Sequence, residues 1–352
     1  MFITYQMKKS QIFAQNVGLD MAKNSFVACL SFLLLDRTIQ VKIVKEFKNT
    51  PPGFQRFCAW VKQHFVVDVP LLCTMEATGV YHEQLAYFLH EEGYSVSIVQ
   101  PTQAKKYKES YPSSSKTDQL DARSLASMGL ELKLEIWSPP LAYYQMLRDL
   151  TREREALKKE QARLKNQLHA LKHAKVVHPT REKLITQRLE LIRKQLKALL
   201  KEIKIHLTTT NEENKDIIAK VKNVLTIPGV GYIVTATVLA ETNGFLEIKN
   251  IRQLIHYAAL VVKHHQSGEI KGKSYVSKKG NQHLKAVLFF PAFAAIRAAD
   301  QFKEYYQKVT ETRNGTAGNL AVCRKVLTLI YVLWKNDTTY EPNYKGATSA
   351  PL

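Results

Sequence analysis

The chain has 352 residues, 45% of them hydrophobic, and a formal charge of +20 from 51 Lys and Arg against 31 Asp and Glu. That length exceeds one ordinary core, the apolar content excludes a disordered polyelectrolyte, and the charge points to a polyanionic partner, nucleic acid ahead of a membrane. Cys29, Cys58, Cys73 and Cys323 are widely spaced with no CxxC pair, which argues against a zinc site or disulfide framework and for a reducing cytoplasm.

In chain order, Val17–Leu19, Phe26–Leu35 and Val41–Phe47 read as strands, a run that suggests an antiparallel meander. The run Phe26–Leu35 is too short to span a bilayer, and no charged-then-apolar signal pattern precedes it. Pro52–Phe65 reads as a helix, Leu71–Met75 as a strand, His82–Glu91 as a helix, Val96–Val99 as a strand and Asp118–Leu130 as a helix. Strands alternating with helices indicate an α/β domain with a partly parallel sheet over residues 1–140.

From Leu147 to Leu207 the pattern becomes a heptad, with Leu150, Leu157, Leu164 and Leu171 on one seam and Ile185, Leu189, Ile192, Leu196, Leu199 and Ile203 on another. His178-Pro179-Thr180 breaks it, because proline is excluded from a helix interior, so residues 141–222 form two helices of a coiled coil. Residues 223–335 read as mostly helical with one polar loop from Lys263 to Gly280, and 336–352 as a disordered tail. The chain is thus α/β plus all-α. Charge divides along the same lines: residues 1–140 carry 15 basic and 13 acidic side chains, 15 − 13 = +2, residues 141–222 carry 20 and 10, +10, and residues 223–352 carry 16 and 8, +8. The polyanion belongs to the later regions.

The acids of the first region fall into a pattern. Asp20 closes the first strand and Glu76 follows the strand Leu71–Met75, so both lie at strand ends. Asp118 and Asp121, three apart at a helix start behind Thr117, share one helix face. Each has an ordinary structural explanation taken singly, a turn, a surface acid or helix N-terminal acids. Together they would repel unless divalent cations neutralised them, and Mg²⁺ with oxygen ligands serves phosphodiester chemistry in that way.

In the C-terminal region, Leu225-Thr226-Ile227-Pro228-Gly229-Val230-Gly231 reads as a helix–hairpin–helix turn. Gly229 and Gly231 there would let backbone N–H groups approach a phosphate. Lys271, Lys273, Lys278, Lys279, Asn281 and Lys285 form a polar, basic cluster suited to nucleic-acid phosphates. Ser267, before Gly268, reads by chemistry alone as a turn residue, and His264 and His265 as solvated loop histidines or phosphate-orienting groups.

The segments Val17-Gly18-Leu19-Asp20-Met21-Ala22-Lys23, Met75-Glu76-Ala77-Thr78-Gly79-Val80-Tyr81 and Lys116-Thr117-Asp118-Gln119-Leu120-Asp121-Ala122 resemble the signature blocks of the DEDD transposases of bacterial insertion sequences. These form insertion sequence family one-hundred-and-ten and are related to the Piv/MooV DNA invertases. Ile227 to Asn281, with Gln266-Ser267-Gly268 and Ser277-Lys278-Lys279-Gly280-Asn281, resembles that family's C-terminal transposase domain. One departure is Ala259-Leu260-Val261-Val262, where relatives often have a Gly-Leu-x-Pro turn.

The resemblance implies a RuvC-like, RNase H-type domain at 1–140, the coiled coil, and a helical transposase domain at 223–335. It also implies Mg²⁺ on Asp20, Glu76, Asp118 and Asp121, and a serine that attacks DNA to form a phosphoserine intermediate. Ser267 matches that serine best, with Ser277 as the rival. A composite active site drawn from different domains and subunits of a dimer or tetramer follows, as do donor and target DNA chosen through a structured bridge RNA. The alternatives are a site-specific DNA invertase of the same family, a metal-dependent nuclease or junction resolvase, and a non-enzymatic nucleic-acid-binding protein.

Overall fold

The computed structural model describes residues 12–77, 79–110, 117–263, 266–267, 270–271, 275–277 and 279–342. The chain forms two compact units, residues 1–139 and 140–352.

Unit 1 is built on a mixed sheet. Strands β1 (Ile12–Met21), β2 (Ser25–Leu34) and β3 (Ile39–Lys48) form the expected antiparallel meander, and β4 (Leu71–Glu76) and β5 (Ser95–Val99) add in parallel, giving the order β3-β2-β1-β4-β5. Side chains alternate across the pleat. Val17, Leu19 and Met21 of β1, with Phe26, Ala28 and Leu30 of β2, pack beneath helices α1 (Pro51–His64) and α2 (Glu83–Glu91). Phe26, Phe47 and Phe57 meet there with ring centroids 5.5 Å apart. The opposite face carries α4 (Asp118–Glu131), whose Ala122 and Ala126 lie on Cys29. Between β5 and α4 comes α3 (Pro101–Glu109), which the sequence reading missed; its Ala104 packs on Leu125 and Met128 of α4.

Unit 2 is helical. Helices α5 (Ala142–Leu171) and α6 (Pro179–Thr208) pack along a seam of Leu157, Leu164, Leu171, Ile185, Leu189 and Ile192, and Arg188 donates to Glu160 across it at 2.5 Å. Pro179 starts α6, where its missing N–H costs no hydrogen bond. The long helices are not independent of the rest. Tyr144 and Leu147 of α5 and Ile203 and Leu207 of α6 enter the same core as α7 (Lys215–Val224), α8 (Tyr232–Thr242), α9 (Ile251–Tyr257), α10 (Gln282–Ala298), α11 (Asp300–Thr310) and α12 (Gly315–Asn336). Residues 141–222 and 223–335, distinct in pattern, therefore share one core.

Helix α12 is long and apolar enough to cross a membrane, yet Val322, Val326, Leu327 and Ile330 are fully buried in this core. The tail reading needs correction for residues 336–342. Tyr340 stacks on Phe302 at 6.5 Å and its N–H donates to Thr226 at 2.9 Å, while Asp337 accepts from Asn223 at 2.8 Å. A single aromatic in a polar stretch is enough to dock it, and composition hid that. Residues 343–352 lie outside the described residues.

Candidate active-site elements

The acids of unit 1 converge because two glycines let α4 lie directly on the sheet. A Cβ at Gly18 would stand 2.1 Å from the carbonyl oxygen of Ala122 and 2.3 Å from the nitrogen of Ala126. A Cβ at Gly129 would stand 2.0 Å from Asn16 Nδ2 and 2.4 Å from Thr74 Oγ1, two atoms already hydrogen-bonded to each other at 2.8 Å. Gly129 thus sits over Asn16 and Ala122 over Gly18, so α4 runs against β1 and its N-terminus overhangs the carboxyl ends of the strands.

Asp20 is two residues beyond Gly18, and Glu76 two beyond Thr74, which puts both on the α4 face. Leu19 pairs with Met75, so Asp20 and Glu76 follow side by side in register. Asp118 is one turn before Ala122, and Asp121 is on the same stripe. Thr117 caps the helix by accepting from Leu120 N–H at 3.3 Å, which fixes where that first turn begins.

Electrostatics carry the mark of this convergence. The Asp20 carboxyl is pushed from 3.8 up to about 6, first by burial and then by the charges of Asp121, Asp118 and Glu76; Lys108 opposes the shift. The Lys108 ammonium, from α3, is ion-paired with Asp121. Among the described residues, no three His, Cys, Asp or Glu are grouped closely enough to hold an ion. The donor set still fits a hard divalent cation, since every candidate atom is a carboxylate oxygen and the burdened Asp20 signals too little positive charge nearby.

In unit 2 the expected loop after α9 is in part a ladder. Strand β6 (Val262–Lys263) pairs with β9 (Tyr275–Val276), and within that span β7 (Gln266–Ser267) pairs with β8 (Ile270–Lys271). Ser267 pairs antiparallel with Ile270, so its backbone stands at the outer end of a short β-hairpin ladder. His264, His265, Lys273 and Lys278 lie outside the described residues. Ser277 is at the root, 3% exposed, with its hydroxyl accepting from Lys279 N–H at 3.1 Å and its own N–H donating to Val261 at 2.9 Å. Lys279 is exposed and Lys285 half-buried on α10.

Two expected phosphate contacts have other work in the structure. Asn281 caps α10, its Oδ1 accepting from the N–H groups of His283 and Leu284 at 3.0 and 3.1 Å while Nδ2 donates to Glu241 at 2.7 Å. Its side chain is committed to the fold rather than offered to nucleic acid. Gly229, at φ +83°, backs onto α10, where a Cβ would lie 2.7 Å from Pro291 O and from Ala295 N. Its freedom serves helix packing. Gly231 has open space around it at the N-cap of α8.

Sequence reading missed Glu241, which is 3% exposed and sits at the centre of a polar network. Arg152 donates to both its carboxylate oxygens at 3.0 and 3.2 Å, and Tyr257 OH donates to its carbonyl at 2.8 Å. Burial alone would raise the Glu241 carboxyl, but the Arg152 and Asn281 hydrogen bonds outweigh it and hold it below the usual range. Lys108 was missed too. An acid in an apolar helix and a lysine in a basic one give no periodic signal; only spacing in three dimensions singles them out.

Comparison with known proteins decides the family. Residues 17–171 match the DEDD transposase model of the IS110 type, described as Transposase, and residues 221–307 match that described as Transposase IS116/IS110/IS902 family. The chain belongs to the IS110 family of transposases. This transposase is 27% identical over 331 residues to the pilin gene-inverting protein of Moraxella bovis, covering 92% of this chain and 97% of that one. It is 23% identical to the transposase for insertion sequence element IS1111A of Coxiella burnetii, covering 76% and 78% of the two chains. Among solved structures, Thermus thermophilus RuvC in complex with a Holliday junction substrate overlaps 35% of this chain and 99% of its own, at 12% identity and a TM-score of 0.26. The sheet order and the seat of α4 described above, not that overlap, define the fold of unit 1.

Proposed function

We propose that this transposase cuts and rejoins DNA through a phosphoserine ester on Ser267, with Mg²⁺ held by Asp20, Glu76, Asp118 and Asp121 and the DNA sites chosen by a structured RNA from its own element. The observation that carries the reading is the seat of α4 on Gly18 and Gly129, which aims four carboxylates at one end of the sheet. In each cut the Ser267 oxygen bonds to phosphorus, its proton leaves to solvent or a nearby base, and the P–O bond to one sugar breaks to release a hydroxyl. A strand hydroxyl then attacks the ester, re-forms a phosphodiester and frees Ser267. The energy of the broken bond is kept in the ester, so rejoining needs no external cofactor of that kind. Bound Mg²⁺ would supply charge neutralisation at the phosphate and polarise it. Lys108 must release Asp121 for all four acids to serve as ligands.

Ser267 is favoured over Ser277 because Ser277 is buried and its hydroxyl is tied to the Lys279 backbone. Unit 2 carries +10 and +8 of the +20 charge over residues 141–222 and 223–352, which supports it as the surface for guide RNA and DNA. A dimer or tetramer, with carboxylates and serine contributed by different subunits, completes the reading.

The test is covalent trapping. Wild type incubated with Mg²⁺, element-end DNA and its flanking transcript should give a denaturation-resistant protein–DNA adduct, and Ser267→Ala should give none. An equal yield from Ser267→Ala contradicts the assignment. A second reading, DNA inversion, is supported by the near full-length likeness to the pilin gene-inverting protein. Recombination confined to inverted sites on one molecule would favour it. Hydrolysed ends without an adduct or strand joining would instead favour a metal-dependent nuclease.

A further inference from the structure

Unit 2 contains a cleft of about 440 Å³ between α5 and α10, floored by Thr237 of α8. Its charges are unevenly satisfied. Glu241 is held by Arg152 and Asn281, and Glu155 by Lys159 at 2.6 Å and by His283 at 2.5 Å. Both acids are therefore neutralised from within the protein. Arg154 is not: among the described residues this half-buried guanidinium has no hydrogen bond or ion pair, and burial pulls its pKa below the usual value. A cation stripped of water without an acid beside it is costly, and an incoming anion relieves that cost. Lys158 on the same helix adds a second, exposed positive charge at the rim.

The opposite wall is apolar. Phe290 of α10 is 76% exposed, yet it lines this cleft rather than the core. An aromatic face opposite an unpaired guanidinium matches the two halves of a nucleotide, a flat base and a phosphate, and the volume fits one such unit. Duplex nucleic acid keeps its bases stacked inside and could offer only its phosphates.

We propose that this cleft binds one unpaired nucleotide of a nucleic-acid strand, with its phosphate on Arg154 and Lys158 and its base against Phe290. The proposal rests on the reading of the chain as a nucleic-acid recombinase but not on the identity of the nucleophile. The cleft is also joined to the hairpin that carries Ser267. His283 lines the cleft, and Asn281, two residues earlier at the hairpin's exit, is bonded to Glu241 in its wall. An occupied cleft would thus steady the segment from which the Ser267 hairpin springs.

Binding is measured on the full chain with Ser267→Ala as background and with chelator present, so that neither chemistry nor metal enters. The probes are labelled oligothymidylate, oligouridylate and a mixed-sequence duplex. Phe290→Ala should weaken single strands by about tenfold, as loss of one stacked base does, and Phe290→Trp should restore them. Arg154→Gln should weaken them similarly and lower the log–log salt slope by about 1. Duplex affinity should stay within about twofold of the background protein for the Phe290 variants, since a duplex has no free base to stack there. Unchanged thermal unfolding checks that the exposed Phe290 was removed without damage. Single-strand binding equal to background in both variants, failure of Phe290→Trp to restore it, or equal losses for duplex and single strand in Phe290→Ala would each overturn the proposal. Absence of binding to all three probes by the unsubstituted protein would overturn the recombinase reading as well. The thymidylate and uridylate arms tell whether a DNA or an RNA strand occupies the cleft.

Discussion

Each unit of this transposase shields an acid from solvent, Asp20 in part and Glu241 almost wholly, and the two acids are treated in opposite ways. Asp20 lies among Glu76, Asp118 and Asp121, with Lys108 among the described residues partly offsetting them, and its carboxyl is pushed up to about 6. Glu241 is the more buried of the two, yet Arg152 and Asn281 clasp it and hold it below its ordinary value. A fold that needed only stability would treat both acids like Glu241. Leaving Asp20 with repelling neighbours is the mark of a place that expects a cation from outside, while the clasped Glu241 is a fastening between α5, α8 and the start of α10.

The largest expected break in this comparison is Asp20→Asn. On the proposed metal role of Asp20 it should cut strand transfer by about a thousandfold, with nucleic-acid affinity within about twofold of wild type because the excess basic charge lies in unit 2. A variant that joins strands normally would remove Asp20 from the active site. Glu241→Ala should do the reverse and act on stability first. It leaves Asn281 and the half-exposed Arg152 without their partner and should cost about 1–3 kcal/mol of unfolding free energy in denaturant titration.

Gly18→Ala comes next. Its methyl group meets the α4 backbone, so the helix must lift and the protein should lose about 1–3 kcal/mol. Divalent-ion affinity, read by calorimetry, should fall with it, because the first turn of α4 carries two of the acids. Loss of stability with unchanged ion affinity would separate the helix seat from the acid centre.

The smallest effect sharpens the contrast by sign. Asp20 has a folded pKa above its ordinary 3.8, so the folded state holds its proton longer than the unfolded chain does. Metal-free unit 1 should therefore lose stability as pH rises from about 4 to about 6, and Asp20→Asn should flatten that slope. Glu241 is depressed, so its contribution is present above about 4.5 and is lost as pH falls through its lower folded value. Hydrogen exchange resolved by unit reads both slopes in one titration, and slopes of the same sign would refute the contrast.

The sequence made the acid centre legible because its parts are local. A strand ending in Asp20, another ending in Glu76 and a capped helix start at Thr117 each announce themselves within a few residues. The meander, the parallel pair and the break at Pro179 were visible for the same reason, being set by alternation and by one residue's missing N–H. The seat of α4 was not, since Gly18 and Gly129 are 111 positions apart and only their meeting with Ala122 and Asn16 gives them meaning. Asn281 misled for a related reason. In a run of lysines it looks like a phosphate ligand, but its donors and acceptor are taken by Glu241, His283 and Leu284. The short strands around Ser267 escaped because two-residue ladders fall below any periodic pattern.

Mapping the covalent adduct tests the central claim most directly. Wild-type protein trapped on its cleaved DNA, digested by nuclease and protease and sequenced by tandem mass spectrometry should carry the residual nucleotide on the peptide containing Gln266-Ser267-Gly268, with the added mass on Ser267. The nucleotide on Ser277, on another residue, or on no residue while strands are still joined would contradict the account.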